Sequence, residues 1–315
     1  MTIAGQYDGN LANGGEHLRL ADAAGGTVFE FDYADWYPLA DGEGWSLAPV
    51  EADLTGEALN LPENWRPSEF AGGSPGGDDN YIPAGTVVIN ELLAHSTGPG
   101  DWIELHNTTD QPIDIGYWYL SDSADDLRKY QIPAGTTIGP HGYLIFTQQD
   151  HFGAAFALSR HGEEACLTGG SADGRLTSYR QRANFGASDQ GVSFVRYVSG
   201  DGRVHFVAGS GPTPGSPNAA PLVGPVVINE IMYNPADTGQ EYLELHNITS
   251  QPVRLYDPAY PDHTWAVDGG VRFSFPTGSE LPAGGYALVT GTDPAAFRDQ
   301  FDIPPEVAVY GPYDG

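Results

Sequence analysis

The sequence has one cysteine, Cys166, among 315 residues. No intrachain disulfide can form, so whatever rigidity the chain has comes from packing. A lone cysteine of this kind is expected as a small buried apolar residue rather than a reactive thiol. Basic residues are scarce as well: 13 Lys and Arg stand against 42 Asp and Glu, a net charge of −29. Such a field repels phosphate backbones and anionic head groups, which argues against nucleic-acid and membrane-surface partners. No stretch approaches the roughly 20 apolar residues of a membrane helix, so membrane insertion is not expected. The opening MTIAGQYDG has neither a basic start nor an apolar core and does not read as a signal peptide. His-Glu-x-x-His is missing, and GGEHL and SPGG read as turns rather than phosphate-cradling loops.

Abundant residues point to the fold. Glycine (42) and proline (25) punctuate short alternating runs, and 17 tyrosines and 6 tryptophans supply aromatic bulk. This pattern predicts an all-β chain, and the length suits two domains of ordinary size. Within DWIELHN, residues 101–107, alternation predicts Ile103 and Leu105 on one face and Trp102, Glu104 and His106 on the other. One short helix is predicted at TDPAAFRDQF, with Asp293 as N-cap and Pro294 in the first position. A weaker counterpart lies near Asp150–Phe156.

Internal repetition organises the rest. VVINELLAHSTGPGDWIELHNTTDQPIDI (87–115) matches VVINEIMYNPADTGQEYLELHNITSQPVRL (226–255), and IPAGTTIGPHGYLIF (132–146) matches FPTGSELPAGGYALV (275–289). A second half-unit recurs in the opposite places. LANGGEHLRL (11–20) matches LSRHGEEACL (158–167), and each copy ends on a Gly-Ser-Pro turn, GGSPGGDD (72–79) and TPGSPNAAP (213–221). The chain therefore reads as a second half (1–80), a whole unit (81–220) and a first half (221–315). Pro/Gly-rich stretches 71–85 and 211–225 are the expected linkers.

These words resemble the lamin tail domain family, bacterial type, in tandem copies. They are Ile89-Asn90-Glu91, Trp102 to Asn107, Tyr119 to Asp122, Pro133 to Leu144 and Leu158 to Leu167. In the third segment YDPAYPDHTWAVDGG stands where the Leu-Ser-Asp strand is due. The resemblance implies tandem immunoglobulin-like β-sandwiches, one intact and one split between the two ends of the chain. It also implies an extracellular or cell-surface interaction or structural module with no catalytic residues to carry over.

Residue by residue, few side chains suggest chemistry. Glu104 and His106, repeated as Glu244 and His246, share a strand face. Two ligands do not make a zinc site, and an outward surface pair supporting cross-strand contacts is the expected role. Asn107 and Asn247 begin Asn-x-Thr sequences and are expected to bond the turn that follows. Acidic loops at Asp122, Asp125 and Asp126, at Asp78 and Asp79, and at Asp41 and Glu43 are candidate calcium ligands. No other cofactor is expected.

Each half-unit alone exposes an apolar sheet face and unpaired edges. The expected functional site is the assembly seam: Tyr7, Leu11, Gly15, Glu16, Leu18 and Leu20 on one side, Val307, Val309 and Tyr313 on the other. Glu16 is expected to cap a turn there, as Glu163 does in the whole unit. The expected partners are copies of the chain itself, through a tandem array, closure within one chain or head-to-tail pairing. Together these features predict a non-enzymatic structural protein that forms a fibre or surface array. The alternative is a surface adhesin or accessory binding module using Trp36, Trp45 or Trp118 on a glycan or protein partner.

Overall fold

A computed structural model describes residues 8–98, 100–236 and 239–315. The chain divides into two compact units, Met1–Leu222 and Val223–Gly315. Nearly all regular structure is strand, set by alternating apolar residues between glycine- and proline-bearing turns.

The first unit opens with two antiparallel ladders. β1 (Gly15–Ala21) pairs with β2 (Thr27–Ala34), and β3 (Leu47–Pro49) with β4 (Trp65–Pro67). Leu18 lies opposite Phe31 and Leu20 opposite Phe29, so one face of the first ladder is apolar. The β4 end is fastened to the sandwich that follows it. Ser178 N donates to Glu69 O at 2.8 Å, Phe70 bridges to Thr177, and the Arg175 guanidinium lies 4.0 Å over the Phe70 ring.

That sandwich comprises β5 (Val87–Leu93), β6 (Trp102–Asn107), β7 (Ile113–Asp114), β8 (Tyr119–Ser121), β9 (Tyr130–Gln131), β10 (Thr137–Ile138), β11 (Tyr143–Thr147), β12 (Glu163–Gly170), β13 (Leu176–Phe185), β14 (Phe194–Val198) and β15 (Val204–Ala208). One sheet runs β11-β6-β5-β14-β15 and the other β13-β12-β8-β9. Val87, Ile89, Leu92, Ile103, Leu105, Leu120, Ala165, Leu167 and Phe194 share one core. Tyr179 ties the sheets together: its hydroxyl donates to Val87 O at 2.6 Å and accepts from Val87 N at 2.9 Å. Near Asp150 the chain makes a π-helical turn, Gln148–Phe152, which buries Phe152 against Phe156. Cys166 is buried, and burial pushes its thiol up to about 11, so the expected inert role holds.

The second unit repeats only the opening of this plan. β16 (Val226–Met232), β17 (Tyr242–Asn247), β18 (Val253–Arg254), β19 (Ala266–Val267), β20 (Phe273–Ser274), β21 (Glu280–Leu281) and β22 (Tyr286–Thr290) lead into α1 (Pro294–Phe301) and β23 (Ala308–Tyr310). β16-β17-β22-β23 form one sheet, with β23 parallel to β22. The helix forms as predicted: Asp293 accepts from Ala296 N at 2.9 Å, and Pro294 occupies the first turn.

The region 256–270, where the family pattern is interrupted, has a simple explanation. Phe275 N donates to Trp265 O as Ile132 N donates to Trp118 O. Trp265 is thus the counterpart of Trp118, displaced by an insertion, and β19 pairs with β20 as β8 pairs with β9. The strand is present; only its spelling and position differ.

Gly15 and Gly162 show why two turns conserve one shape. Both have positive φ, +101° and +93°, and a Cβ at Gly162 would meet Gly186 C at 2.8 Å and Phe185 O at 2.9 Å. Gly162→Ala should lower the unfolding free energy by about 2 kcal/mol through strain and contact. Gly186→Ala, with open space around it, should change it by less than about 0.5 kcal/mol. Urea denaturation of the two variants measures the difference.

Candidate interaction site

Two carboxylates control how the intact sandwich closes. Glu91 and Glu104 lie opposite each other on β5 and β6, beside a bulge at Asn90, and both are fully buried. An unpaired buried carboxylate is costly, and here the donors come from far along the chain. Glu91 accepts from Ser193 Oγ at 2.6 Å, Thr213 N at 3.1 Å and Thr213 Oγ1 at 3.0 Å. Glu104 accepts from Asn90 Nδ2 at 2.7 Å and Gly215 N at 2.5 Å. Asn218 completes the latch, donating to Asn90 O at 3.1 Å. Residues 213–218, expected as linker, are thus part of the domain. Burial foremost raises the Glu104 carboxyl above its usual range, opposed by the Gly215 and Asn90 bonds.

This corrects the expected outward position of Glu104, which is wholly enclosed. His106 behaves as expected, stacking on its cross-strand neighbour Tyr143 at 4.4 Å. Asn107 also meets its expectation. Its Oδ1 accepts from Thr109 N, and its Nδ2 donates to Gln111 O, Ile138 O and Gly139 O. Asn247 repeats the set with Thr249, Gln251, Leu281 and Pro282.

The second unit has the acceptors without the latch. Its bulge falls at the same place, and Asn229 Nδ2 donates to Glu244 at 2.6 Å as Asn90 does to Glu104. β5 is buried throughout, between β6 and β14, whereas β16 pairs among the described residues only with β17. Ile89 is 1% exposed and its counterpart Ile228 57%; Leu92 is fully buried and its counterpart Ile231 is 54% exposed. Trp265 is 41% exposed where Trp118 is buried.

The opening ladders show the complementary state. Ser68 N donates to Ser46 O at 2.7 Å as Gly209 N donates to Ser193 O at 2.8 Å, identifying β3–β4 with β14–β15. Glu16 accepts from Ala12 N at 2.8 Å as Glu163 accepts from Ser159 N at 2.5 Å, so β1–β2 correspond to β12–β13 and the expected cap forms. Leu11, Leu18, Phe31, Tyr33, Trp45, Leu47 and Trp65 line an open groove of about 390 Å³. Leu158 and Leu167 are buried, but their counterparts Leu11 and Leu20 are 58% and 50% exposed.

The other expected site residues are dispersed. Tyr7 lies outside the described residues. Val309 pairs with Leu288 and Val307 is half-buried beside it. Tyr313 N donates to Thr290 O at 3.0 Å and its ring packs on the second unit's core. Asp122 takes Lys129, and Asp126 lends its carbonyl to Ser121 Oγ and its carboxylate to Arg128 N. Asp125 is exposed, and the described residues contain no group of three or more His, Cys, Asp or Glu suited to a metal ion. Asp79 bonds Arg66. Trp118 is core, while Trp36 and Trp45 are half-buried. The letters Gly72–Gly76 spell Gly-x-Ser-x-Gly, but they form a turn with no helix after it.

Two stacked antiparallel sheets with a stapled edge define an immunoglobulin-like β-sandwich module. The Lamin Tail Domain family model matches residues 82–193 and 219–303, more than half of the sequence, and the chain belongs to that family. The second match spans the copy built on β16 to β22 and α1. Among curated proteins and among solved structures no match is found.

Asn107→Ala should cost about 2–4 kcal/mol, since three carbonyls, the buried Ile138 O among them, lose their donor; urea denaturation reads this directly. A raised folded-state carboxyl favours the protonated form, so the Glu104 contribution is greatest below the unfolded pKa and is lost as pH rises through the folded one. The stability advantage of the wild type over Glu104→Gln should therefore narrow from about pH 4 to pH 7, measured by melts at both values.

Proposed function

We propose that the chain is a non-enzymatic extracellular structural protein, in which lamin-tail sandwiches recur to form a fibre or surface array. The observation that supports this reading is the contrast between Ile89 and Ile228. The same strand is enclosed in one copy and bare in the other. A sheet face left bare is a strong drive to associate, at about 25 cal/mol per Å² of apolar surface. Residues 11–76 and 223–315 offer one half-domain of each kind. Repetition, either along one polypeptide or between subunits, then extends the object indefinitely unless it closes into a ring.

The family's immunoglobulin-like all-β fold is typically non-catalytic, in keeping with this reading. The acidic charge of −29 keeps such an object soluble and away from nucleic acid. Localisation outside the cell or on its surface is part of the same proposal.

One feature favours an adhesin or accessory binding module as a second reading. A cleft of about 470 Å³ in the first unit is lined by Tyr37, Trp65 and Tyr81, with the Arg66 guanidinium 3.7 Å over the Tyr81 ring. Aromatic walls with a polar handle suit a sugar ring.

Negative-stain images and concentration-dependent light scattering of the native protein should show filaments or growing assemblies. A monodisperse monomer that retains a glycan on Tyr37, Trp65 and Tyr81 would transfer the proposal to the binding module.

A further inference from the structure

We propose that the second unit is completed by residues 11–76 of a second copy of this chain, with β3 adding to the free edge of β16 and β1 to that of β19. This rests on the assembly reading above and specifies its joint.

The intact sandwich supplies the template. There β14 pairs with β5, placing Phe194 opposite Leu92 and Val195 opposite Glu91. Through the matched positions, Leu47 then lies opposite Ile231 and Ala48 opposite Glu230. β12 pairs with β8, placing Cys166 opposite Ser121 and Leu167 opposite Leu120. The same transfer sets Arg19 opposite Asp268 and Leu20 opposite Val267. Leu20 and Ile231, each about half exposed in the chain, both become covered. Arg19 facing Asp268 is a charge-complementary cross-strand pair in a sequence with few cations.

Part of the latch transfers as well, although Ala71 and Gly76 stand at the places of Thr213 and Asn218 and supply no side-chain donor. Ser193 Oγ donates to Glu91, and Ser46 holds the same place beside β3. Its hydroxyl therefore meets Glu230. Gly215 N donates to Glu104 from a backbone at φ +77°, and Gly73, in the matching Gly-Ser-Pro turn, has φ +68°. In the chain its N–H donates to Phe70 O at 3.1 Å, so it meets Glu244 by exchanging that partner. Glu230 accepts from Tyr242 Oη at 2.9 Å and Glu244 from Asn229 Nδ2, and each has a second carboxylate oxygen for a donor from the opening segment.

The occupant is a second copy because both half-domains are tethered within one chain. Glu69 and Phe70 hold the first on β13, while Leu222 N donates to Ala208 O. Only Val223, Gly224 and Pro225 separate that bond from β16. At about 3.5 Å per residue, such a tether spans about 14 Å, a restriction that a second copy does not share. Each copy then donates once and accepts once, which is the head-to-tail geometry of strand addition.

Disulfide trapping tests the register in the full-length chain. Cys166 is buried and inert, so paired cysteines introduced at the surface report cleanly. The variant carrying Leu47→Cys and Ile231→Cys, oxidised and run without reductant, is expected to give a ladder of covalent dimers and higher multimers that collapses on reduction. Either single variant should remain unlinked, because the residue opposite its cysteine in this register is not one. Protein that remains unlinked, or that links only within one chain and stays monomeric, would overturn the proposal. Ile231→Asp offers a check that keeps the fold, since the side chain is exposed: the assembly should shift to monomer with an unchanged circular dichroism spectrum, and unaltered assembly counts against the joint. The two readings separate cleanly. Filaments without cross-links leave the fibre standing and remove this register, while a ladder that ends in small closed rings upholds strand addition and removes the fibre.

Discussion

Everything in the intact sandwich depends on finding donors for two buried carboxylates. Glu91 and Glu104 face one another across β5 and β6, both shut away from solvent. The chain answers by bringing Ser193, Thr213 and Gly215 back over them, more than a hundred residues later in the sequence. Leaving such a buried polar group unpaired costs more than any one hydrogen bond to it contributes. The latch therefore specifies which segment may close the sheet edge as well as how firmly it closes. Apolar packing alone would accept many strands; a strand preceded by a serine and followed later by a Gly-Ser-Pro turn is a narrower requirement.

The same constraint explains the asymmetry between the copies. Val226–Met232 carries the family word almost unchanged, bulge included, yet lies exposed because among the described residues it pairs only with β17. Local sequence determines the hairpin, the bulge and the Asn247 turn. Burial is a property of the neighbours, and in the second copy no strand pairs with the other edge of β16 among the described residues. The two-stranded ladders at residues 15–67 tell the same story from the donor side, with their apolar face lining an open groove.

Much of this was legible beforehand. The all-β class, the repeated words, the helix cap at Asp293 and the turn role of Asn107 and Asn247 all follow from patterns that act over a few residues. Glu16 as a cap was legible by analogy with Glu163, because both bonds span four positions. Glu104 was misplaced because alternation assigns a face but not an environment: its face is covered by residues 213–218, and no local pattern marks them as anything but linker. The duplicated Asn-Glu pair beside a duplicated Gly-Ser-Pro turn was the signal that could have linked the two. Trp265 escaped notice for a different reason, since an insertion moves it out of step with Trp118 and only backbone pairing restores the match.

The Asn107 and Asn247 turns bear on how the protein can be made. Both begin an Asn-x-Thr acceptor sequence, and in both the amide nitrogen that would carry a sugar donates to three carbonyls. A glycan attached there leaves one N–H where the turn uses the whole amide group. Enzymes that modify nascent chains act before such turns close. A eukaryotic secretory host would thus compete with folding at two corresponding points in each chain, whereas a host without that machinery leaves both turns free to form.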